Sequence, residues 1–288
     1  MSRSLITHFS VGGTTAQVAQ SIAAGVQAAG WEADLWSMST DERLPDLDGY
    51  DLLGIGTPTY YFRPPFSVLA TVNGGLPSLH GLSAFVFVLH GTYLGDTGNM
   101  IRRALAQKGA KEVGYFHCYG ADFFLGYLRE GYLFSPDHPT PEELARARQF
   151  GQEVAGVMAD QEYARPPDDP SPAIVYRLER LLLSRWLARQ VYSRLFRVNR
   201  GKCTACGLCM RRCPTGNIAG DEAGHPVWGR ECLLCLSCEM KCPEDAITSP
   251  VSWPLFRPAM MYNVHQASRD PSIDHVRVKH SRGRAKRV

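Results

Sequence analysis

The chain has 288 residues, 44% of them hydrophobic, and a formal charge of only +3, which allows one large or two modest domains with a proper core and names no partner. Its nine cysteines are not the scattered set of a small disulfide-stapled domain, because eight lie between Cys203 and Cys242. The first residues lack a signal peptide's apolar core, and without a run of ~18 apolar residues no spanning helix is expected. A reducing cytoplasm is the expected setting.

The first 160 residues alternate strand-like and helix-like runs. Arg3–Phe9 reads as a strand, followed by a Gly/Thr loop and a helix over about Thr15–Ala29. Glu32–Trp36, Tyr50–Gly56 and Leu82–His90 read as the next strands, and Tyr50–Gly56 is apolar enough to be buried on both faces. A helix over about Asp96–Lys108 leads to a fifth strand, Glu112–Tyr119. Pro141–Met158 closes the region as a helix, with Thr140 as N-cap and Pro141 at the first helical position. Strands separated by helices imply a parallel sheet covered on both faces. Residues 165–172 (RPPDDPSP) read as a linker, and about Ala173–Arg197 as one amphipathic helix. A cysteine module spans about Asn199–Pro250, and a tail follows.

Charge is unevenly spread. Residues 1–163 hold 17 acidic and 10 basic side chains, whereas residues 173–200 hold seven arginines and one glutamate. The last twelve residues hold six basic side chains and no acid.

The module reads C-x2-C-x2-C-x3-C-P twice. In this spacing three thiolates hold one cubane cluster and the fourth cysteine ligates the other. Cluster one is then expected to take Cys203, Cys206, Cys209 and Cys242, and cluster two Cys232, Cys235, Cys238 and Cys213. A pair of zinc sites is the competing reading, but zinc usually takes its ligands as two separated pairs. The module resembles dicluster 2[4Fe-4S] ferredoxins over its whole length. It departs from many of them in charge, with five basic and six acidic side chains over residues 201–250.

Three loops follow predicted strand ends, on the edge where open α/β sheets bind ligands. The first, Ser10-Val11-Gly12-Gly13-Thr14-Thr15, offers hydroxyls, glycines and a helix N-terminus but no Lys or Arg, so it is not a P-loop. The second is Gly56-Thr57-Pro58-Thr59-Tyr60-Tyr61-Phe62, and the third runs from His90 through Gly91, Thr92, Tyr93 and Gly95 to Gly98. Together they resemble the flavodoxin family over about residues 1–160, with G-T-P-T-Y the most specific part. The resemblance implies a five-stranded, doubly wound parallel sheet that binds FMN. It further implies that Ser10, Val11, Gly12, Gly13, Thr14 and Thr15 hold the phosphate. Thr57, Pro58, Thr59 and Tyr60 would meet the ring or ribityl chain, with Gly91, Thr92, Tyr93 and Gly95 opposite. Tyr60, Phe62 and Tyr93 are candidates to stack on the ring. A phosphate cradle without cations in an acidic domain disfavours further negative charge, so the reduced flavin is expected to be a strong reductant. His90 is a candidate flavin donor or proton relay, against an ordinary structural role. Cys118 reads as a core residue.

The whole chain resembles ferredoxin–flavodoxin fusion proteins. The expected organisation is a flavodoxin-like α/β domain over residues 1–163, a linker and basic helix over 164–198, a small α+β ferredoxin domain over 199–250, and a basic tail over 251–288. The expected function is electron passage between two [4Fe-4S] clusters and FMN, serving a redox partner protein or a small-molecule acceptor. A flavin-dependent reductase, closed over its ring by residues 121–135 or by the 253–262 tail, is the alternative. A cluster-bearing subunit of a membrane-associated complex is a weaker one. The basic helix is expected to pack against protein, with a homodimer contact or an anionic membrane surface as the other readings. No nucleic acid is expected, and the terminal basic run reads as a solvated segment.

Overall fold

The computed structural model describes residues 2–38, 44–158, 163–171 and 173–288. In chain order its elements are β1 (Arg3–His8), α1 (Thr14–Ala28), β2 (Glu32–Ser37), β3 (Leu52–Pro58), α2 (Phe66–Ala70), β4 (Ser83–His90), α3 (Thr97–Gln107), β5 (Lys111–Tyr119), α4 (Leu125–Arg129), β6 (Tyr132–Phe134) and α5 (Pro141–Met158). Then come α6 (Ile174–Leu182), α7 (Arg185–Gln190), β7 (Arg197–Val198), α8 (Leu208–Arg211), β8 (Ile218–Gly220), β9 (Pro226–Trp228), α9 (Ser237–Met240), β10 (Ile247–Thr248), α10 (Arg257–Ala267), β11 (His275–Ser281) and β12 (Arg284–Arg287). The chain divides into two units: Met1–Ala121 with Asp137–Glu179, and Asp122–Pro136 with Arg180–Val288.

The first unit holds a five-stranded parallel sheet in the order β2-β1-β3-β4-β5, as the flavodoxin resemblance implied. Its central strands β3 and β4 are almost wholly buried, because helices cover both faces of a parallel sheet. Gly54 and Gly56 pair with Phe85 and Phe87, and a Cβ at either glycine would run into the neighbouring phenyl ring. The two missing side chains on β3 thus make the room that two large ones on β4 fill, and Phe85 and Phe87 join Ile6, Val18, Ile22 and Phe150 in the core. The start of α5 is a reciprocal cap. Glu143 N–H donates to Thr140 Oγ1 (3.2 Å), and Thr140 N–H donates to Glu143 Oε2 (2.7 Å).

The segment that composition marks as a linker is anchored in this unit. The buried Arg102 guanidinium donates to the carbonyls of Pro166 (2.8 Å) and Pro167 (3.3 Å) and pairs with Glu112 at 2.8 Å. Asn99 and Asp169 exchange two hydrogen bonds, and Tyr115 Oη donates to Asp169 (2.6 Å). Prolines leave the carbonyls of such a segment without local partners, and the arginine supplies them. Pro172 lies outside the described residues.

The second unit gathers the cysteine module, residues 122–136 and the tail. Here the expected boundaries differ from the fold. Residues 122–136 were expected within the first domain, yet β6 pairs antiparallel with β11, in a sheet of order β12-β11-β6. The tail is likewise a hairpin rather than a solvated run. Arg282 (φ 50°) and Gly283 (φ 69°) form its two-residue turn, with Ser281 facing Arg284, the geometry that matches strand twist. Arg282 N–H donates to both carboxylate oxygens of Asp245 at 2.9 Å, and His280 Nε2 lies 3.0 Å from the Met240 carbonyl, so the hairpin rests on the cysteine module. Arg129 pairs with the buried Glu239 carboxylate, which also accepts from Ser249 N–H (2.8 Å). The basic helix is two helices, because the Ser184 side chain accepts from Leu187 N–H (3.4 Å) and caps α7.

Candidate functional site

The two cysteine runs fold alike. Ala205 and Gly207 in the first, and Leu234 and Leu236 in the second, all take positive φ, between 51° and 70°. Such turns aim successive backbone N–H groups at one concave space. Each fourth cysteine is held by the opposite run. The Cys213 turn is tied to the chain before Cys232: Thr215 Oγ1 donates to the Glu231 carbonyl (2.8 Å), and Glu231 N–H donates to Asn217 Oδ1 (2.6 Å). The Cys242 turn is tied to the chain before Cys203, through Asn199 N–H to the Ala246 carbonyl (2.8 Å) and the β7–β10 pairing. Cys203, Cys206, Cys209 and Cys242 accordingly border one open pocket.

Three of the sulfurs accept backbone hydrogen bonds. Asn217 N–H points at Cys213 Sγ (3.3 Å), Leu234 N–H at Cys232 Sγ (3.4 Å) and Ala246 N–H at Cys242 Sγ (3.3 Å). Burial pushes Cys235 up to about 12, with the nearby Cys232 and Cys213 sulfurs adding to it. Cys232 is pushed up to about 11 by burial and then by Cys213, and Cys238 is raised by burial and by Cys235 and Cys232. Cys232, Cys235 and Cys238, crowded and held protonated in this way, shed their protons only to a strongly cationic centre, such as a metal cluster. Among the described residues no group of three or more His, Cys, Asp or Glu side chains is placed to hold a single metal ion.

In the first unit, the three loops leave the carboxyl edge of the sheet. β1 ends beside β3 (His8 with Gly56), and β3 beside β4 (Pro58 with Leu89). Ser10 Oγ accepts from Gly13 N–H (3.1 Å) and Ala16 N–H (3.3 Å), which folds the first loop against the N-terminus of the 15-residue α1. No acidic side chain lies in the first turn of that helix, so its dipole favours an anion. The second and third loops are bonded together. Thr59 Oγ1 meets Thr97 Oγ1 at 2.8 Å and the Leu94 carbonyl at 3.2 Å, and Asp96 N–H donates to the Phe62 carbonyl (3.0 Å). Tyr61 (φ 52°) and Phe62 (φ 62°) hold the left-handed region, and Gly95 (φ 66°) packs so closely on Phe62 that a Cβ there would stand 2.6 Å from its Cα.

Sequence reasoning missed Tyr176. It lies in α6, yet its ring centroid is 4.4 Å from that of Phe62 and 5.6 Å from that of Tyr93, one residue from each of the two facing loops. Tyr60 meets Phe9 edge-on at 6.3 Å. His90 is buried and packs on His117 and Tyr119. Burial, and then the neighbouring His117, lower its pKa to about 4. Its Nδ1 lies 3.2 Å from the Thr92 carbonyl, so the neutral ring donates there and braces the third loop. Cys118 is buried in the core, where burial pushes its thiol up to about 12.

Residues 5–124 match the flavodoxin domain model, and residues 196–219 match the 4Fe-4S binding domain model. The chain joins a flavodoxin domain to a 4Fe-4S binding domain. Among solved structures, an archaeal flavodoxin is 15% identical, with a TM-score of 0.40 over 55% of this chain and 99% of its own. The flavodoxin of Megasphaera elsdenii is 21% identical, with a TM-score of 0.42 over 53% and 98%. Flavodoxin 2 of Bacillus cereus is 19% identical, with a TM-score of 0.43 over 54% and 99%. No curated protein matches the chain. The flavodoxin domain implies FMN, and the 4Fe-4S domain implies a cluster, so this is an electron-transfer redox protein. The 4Fe-4S model covers the first cysteine run, and the second lies beyond its match. Among the described residues no helix is long and apolar enough to cross a membrane.

Proposed function

We propose that this flavodoxin–ferredoxin chain carries electrons between two [4Fe-4S] clusters and FMN, and so couples one-electron donors to a two-electron acceptor. Bound FMN supplies a carrier that takes one or two electrons, whereas each cluster takes one. Cys203, Cys206, Cys209 and Cys242 would hold one cluster, and Cys232, Cys235, Cys238 and Cys213 the other. The observation that supports this reading best is the reciprocal tying of the Cys213 and Cys242 turns to the opposite run. Backbone N–H groups aimed at three sulfurs would stabilise the reduced clusters by offsetting added negative charge.

In the FMN site, the Ser10–Thr15 loop would receive the phosphate at the N-terminus of α1, with Val11 and Gly12 giving backbone approach. Thr57, Pro58, Thr59, Tyr60 and Phe62 would border the ring on one side, and Gly91, Thr92, Tyr93 and Gly95 on the other. Tyr176 would then be a third aromatic at the ring. His90, neutral and bonded to Thr92, would position the loop rather than relay a proton. A single chain also raises the effective concentration of clusters near the flavin. A flavin-dependent reduction of a small molecule is the second reading, and the packing of Tyr176 on Phe62 and Tyr93 favours it, because that contact narrows access to the loops.

Anaerobic reductive titration with visible and EPR spectra tests the proposal. About eight irons and one FMN per chain are expected from two cubanes and one flavodoxin site. Failure to take up FMN refutes the electron path, and about four irons refutes the second cluster.

A further inference from the structure

Independently of which cofactors are bound, the second unit exposes apolar side chains that the described residues leave uncovered. Leu181 and Leu182 are 68% and 57% exposed, and Trp186 is 67% exposed. Ile174 and Leu178 continue the stripe along α6, which buries none of its residues. Positions 174, 178, 181 and 182 recur at helical spacing along α6, so they form one stripe of that helix rather than a scatter, and the exposed Trp186 follows in α7. Tyr192 extends the surface. Its hydroxyl donates to the Leu182 carbonyl (2.9 Å), and its ring meets Phe256 edge-on at 6.1 Å. Leu255, beside Phe256, is 79% exposed.

The segment that carries these side chains is strongly basic, although Glu231 pairs with Arg189 beside it. Residues 173–200 carry seven arginines and one glutamate, and Arg177, Arg185, Arg194 and Arg197 are exposed. The one acid, Glu179, lies on the half-buried side of α6 with Val175 and Tyr176. Two copies meeting through the face would bring arginines against arginines. The handful of side chains available is also far short of the ~20–30 residues a side of a standard protein interface. An anionic lipid surface meets both requirements, because headgroups neutralise the arginines while Leu, Ile and Trp side chains enter the acyl boundary.

We propose that the exposed Leu181 and Leu182 of α6 and Trp186 of α7, beside Arg185, dock the protein on the surface of an anionic membrane without spanning it. Ala188 and Phe196 of the expected basic helix are packed against protein, whereas Leu178, Leu181 and Leu182 are exposed. Membrane docking would place the redox domains beside membrane-bound electron carriers.

Flotation of the full-length, cofactor-loaded protein with lipid vesicles tests this. Vesicles of phosphatidylcholine with about 30% phosphatidylserine should bind the protein at least ~10-fold better than phosphatidylcholine alone, and high salt should weaken the binding. A Leu182→Ser/Trp186→Ser variant and an Arg185→Glu variant should each lose ~10-fold or more of that binding while keeping wild-type iron and flavin content, since these side chains are exposed. Equal partition to both vesicles, or unchanged binding by both variants, overturns the proposal. So does a concentration-dependent dimer that Leu182→Ser/Trp186→Ser abolishes in the absence of vesicle binding, which would assign the face to a second copy.

Discussion

Gly95→Ala probes whether the two facing loops form the flavin site. Gly95 holds φ 66°, and an added Cβ would stand 2.6 Å from both Cα and O of Phe62. An alanine in the left-handed region costs roughly 1–2 kcal/mol, and overpacking against backbone costs a further ~1–3 kcal/mol. Neither Phe62 atom belongs to a side chain that can rotate away, so the 91–97 loop must part from the 57–62 loop. The chain should still fold, because the sheet core is untouched, with a melting temperature lower by roughly 4–15 °C. FMN affinity should fall about 10- to 100-fold, since a displaced loop forfeits ~1.4–2.8 kcal/mol of ring contacts. The assay is quenching of FMN fluorescence on anaerobic titration with protein, alongside thermal melts. Gly81→Ala is the control. Gly81 also has positive φ (82°) and meets nothing within 4 Å, and it precedes β4, on the opposite edge of the sheet from the loops. Should Gly95→Ala bind FMN as tightly as Gly81→Ala, the assignment of the ring site to these loops is refuted.

Cys242→Ser should lower iron from about eight to about four per chain and remove the cluster held by the first run, and Cys213→Ser should do the same to the other, read by iron assay and EPR. Loss of the cluster in the mutated run itself would refute the crossed ligation. His90 couples stability to pH. Its folded pKa, lowered to about 4, lies below its unfolded value, so the unfolded chain alone binds the proton as pH falls from 6.5 towards 4. Stability present above pH 6.5 is lost across that window, up to ~3 kcal/mol for this one group, and His8 and His117, lowered by burial, act in the same direction. His90→Gln, which keeps a donor towards Thr92, should flatten the dependence of chemical melts on pH, and equal slopes would contradict the account. Arg102→Met should cost ~1–3 kcal/mol by leaving two proline carbonyls without their donor, while Glu112 keeps Arg165 at 2.9 Å, and a melting temperature within 2 °C of wild type, less than ~1 kcal/mol, would show that the linker anchor is energetically idle.

The first domain was largely legible because its signals are local. Buried strands, a Thr-Pro-Glu-Glu cap and glycines at the sheet edge fall within a few residues of the predicted bounds, and α5 runs over the same Pro141–Met158. The hairpin of the tail was legible too, had its turn been read: Arg282-Gly283 sits between runs that alternate, as Val276, Val278 and His280 do. A high density of positive charge masked that alternation. Residues 122–136 offered no such clue, since their strand partner lies more than a hundred residues away.

By itself, the sequence determined the layered parallel sheet and the two cysteine runs, because hydrophobic period and ligand spacing act over short stretches of chain. It also placed the candidate loops at one sheet edge, since strand order carries every βα turn to the same side. Only the tertiary structure decided that Tyr176 meets Phe62 and Tyr93, that the linker is held by Arg102, and that residues 122–136 join the tail. Each of these depends on contacts between distant segments, which no local pattern encodes. The same is true of the leucines of α6. Their amphipathic spacing is written in the chain, but whether that face is covered is a property of everything else in the fold, and the fold leaves it open.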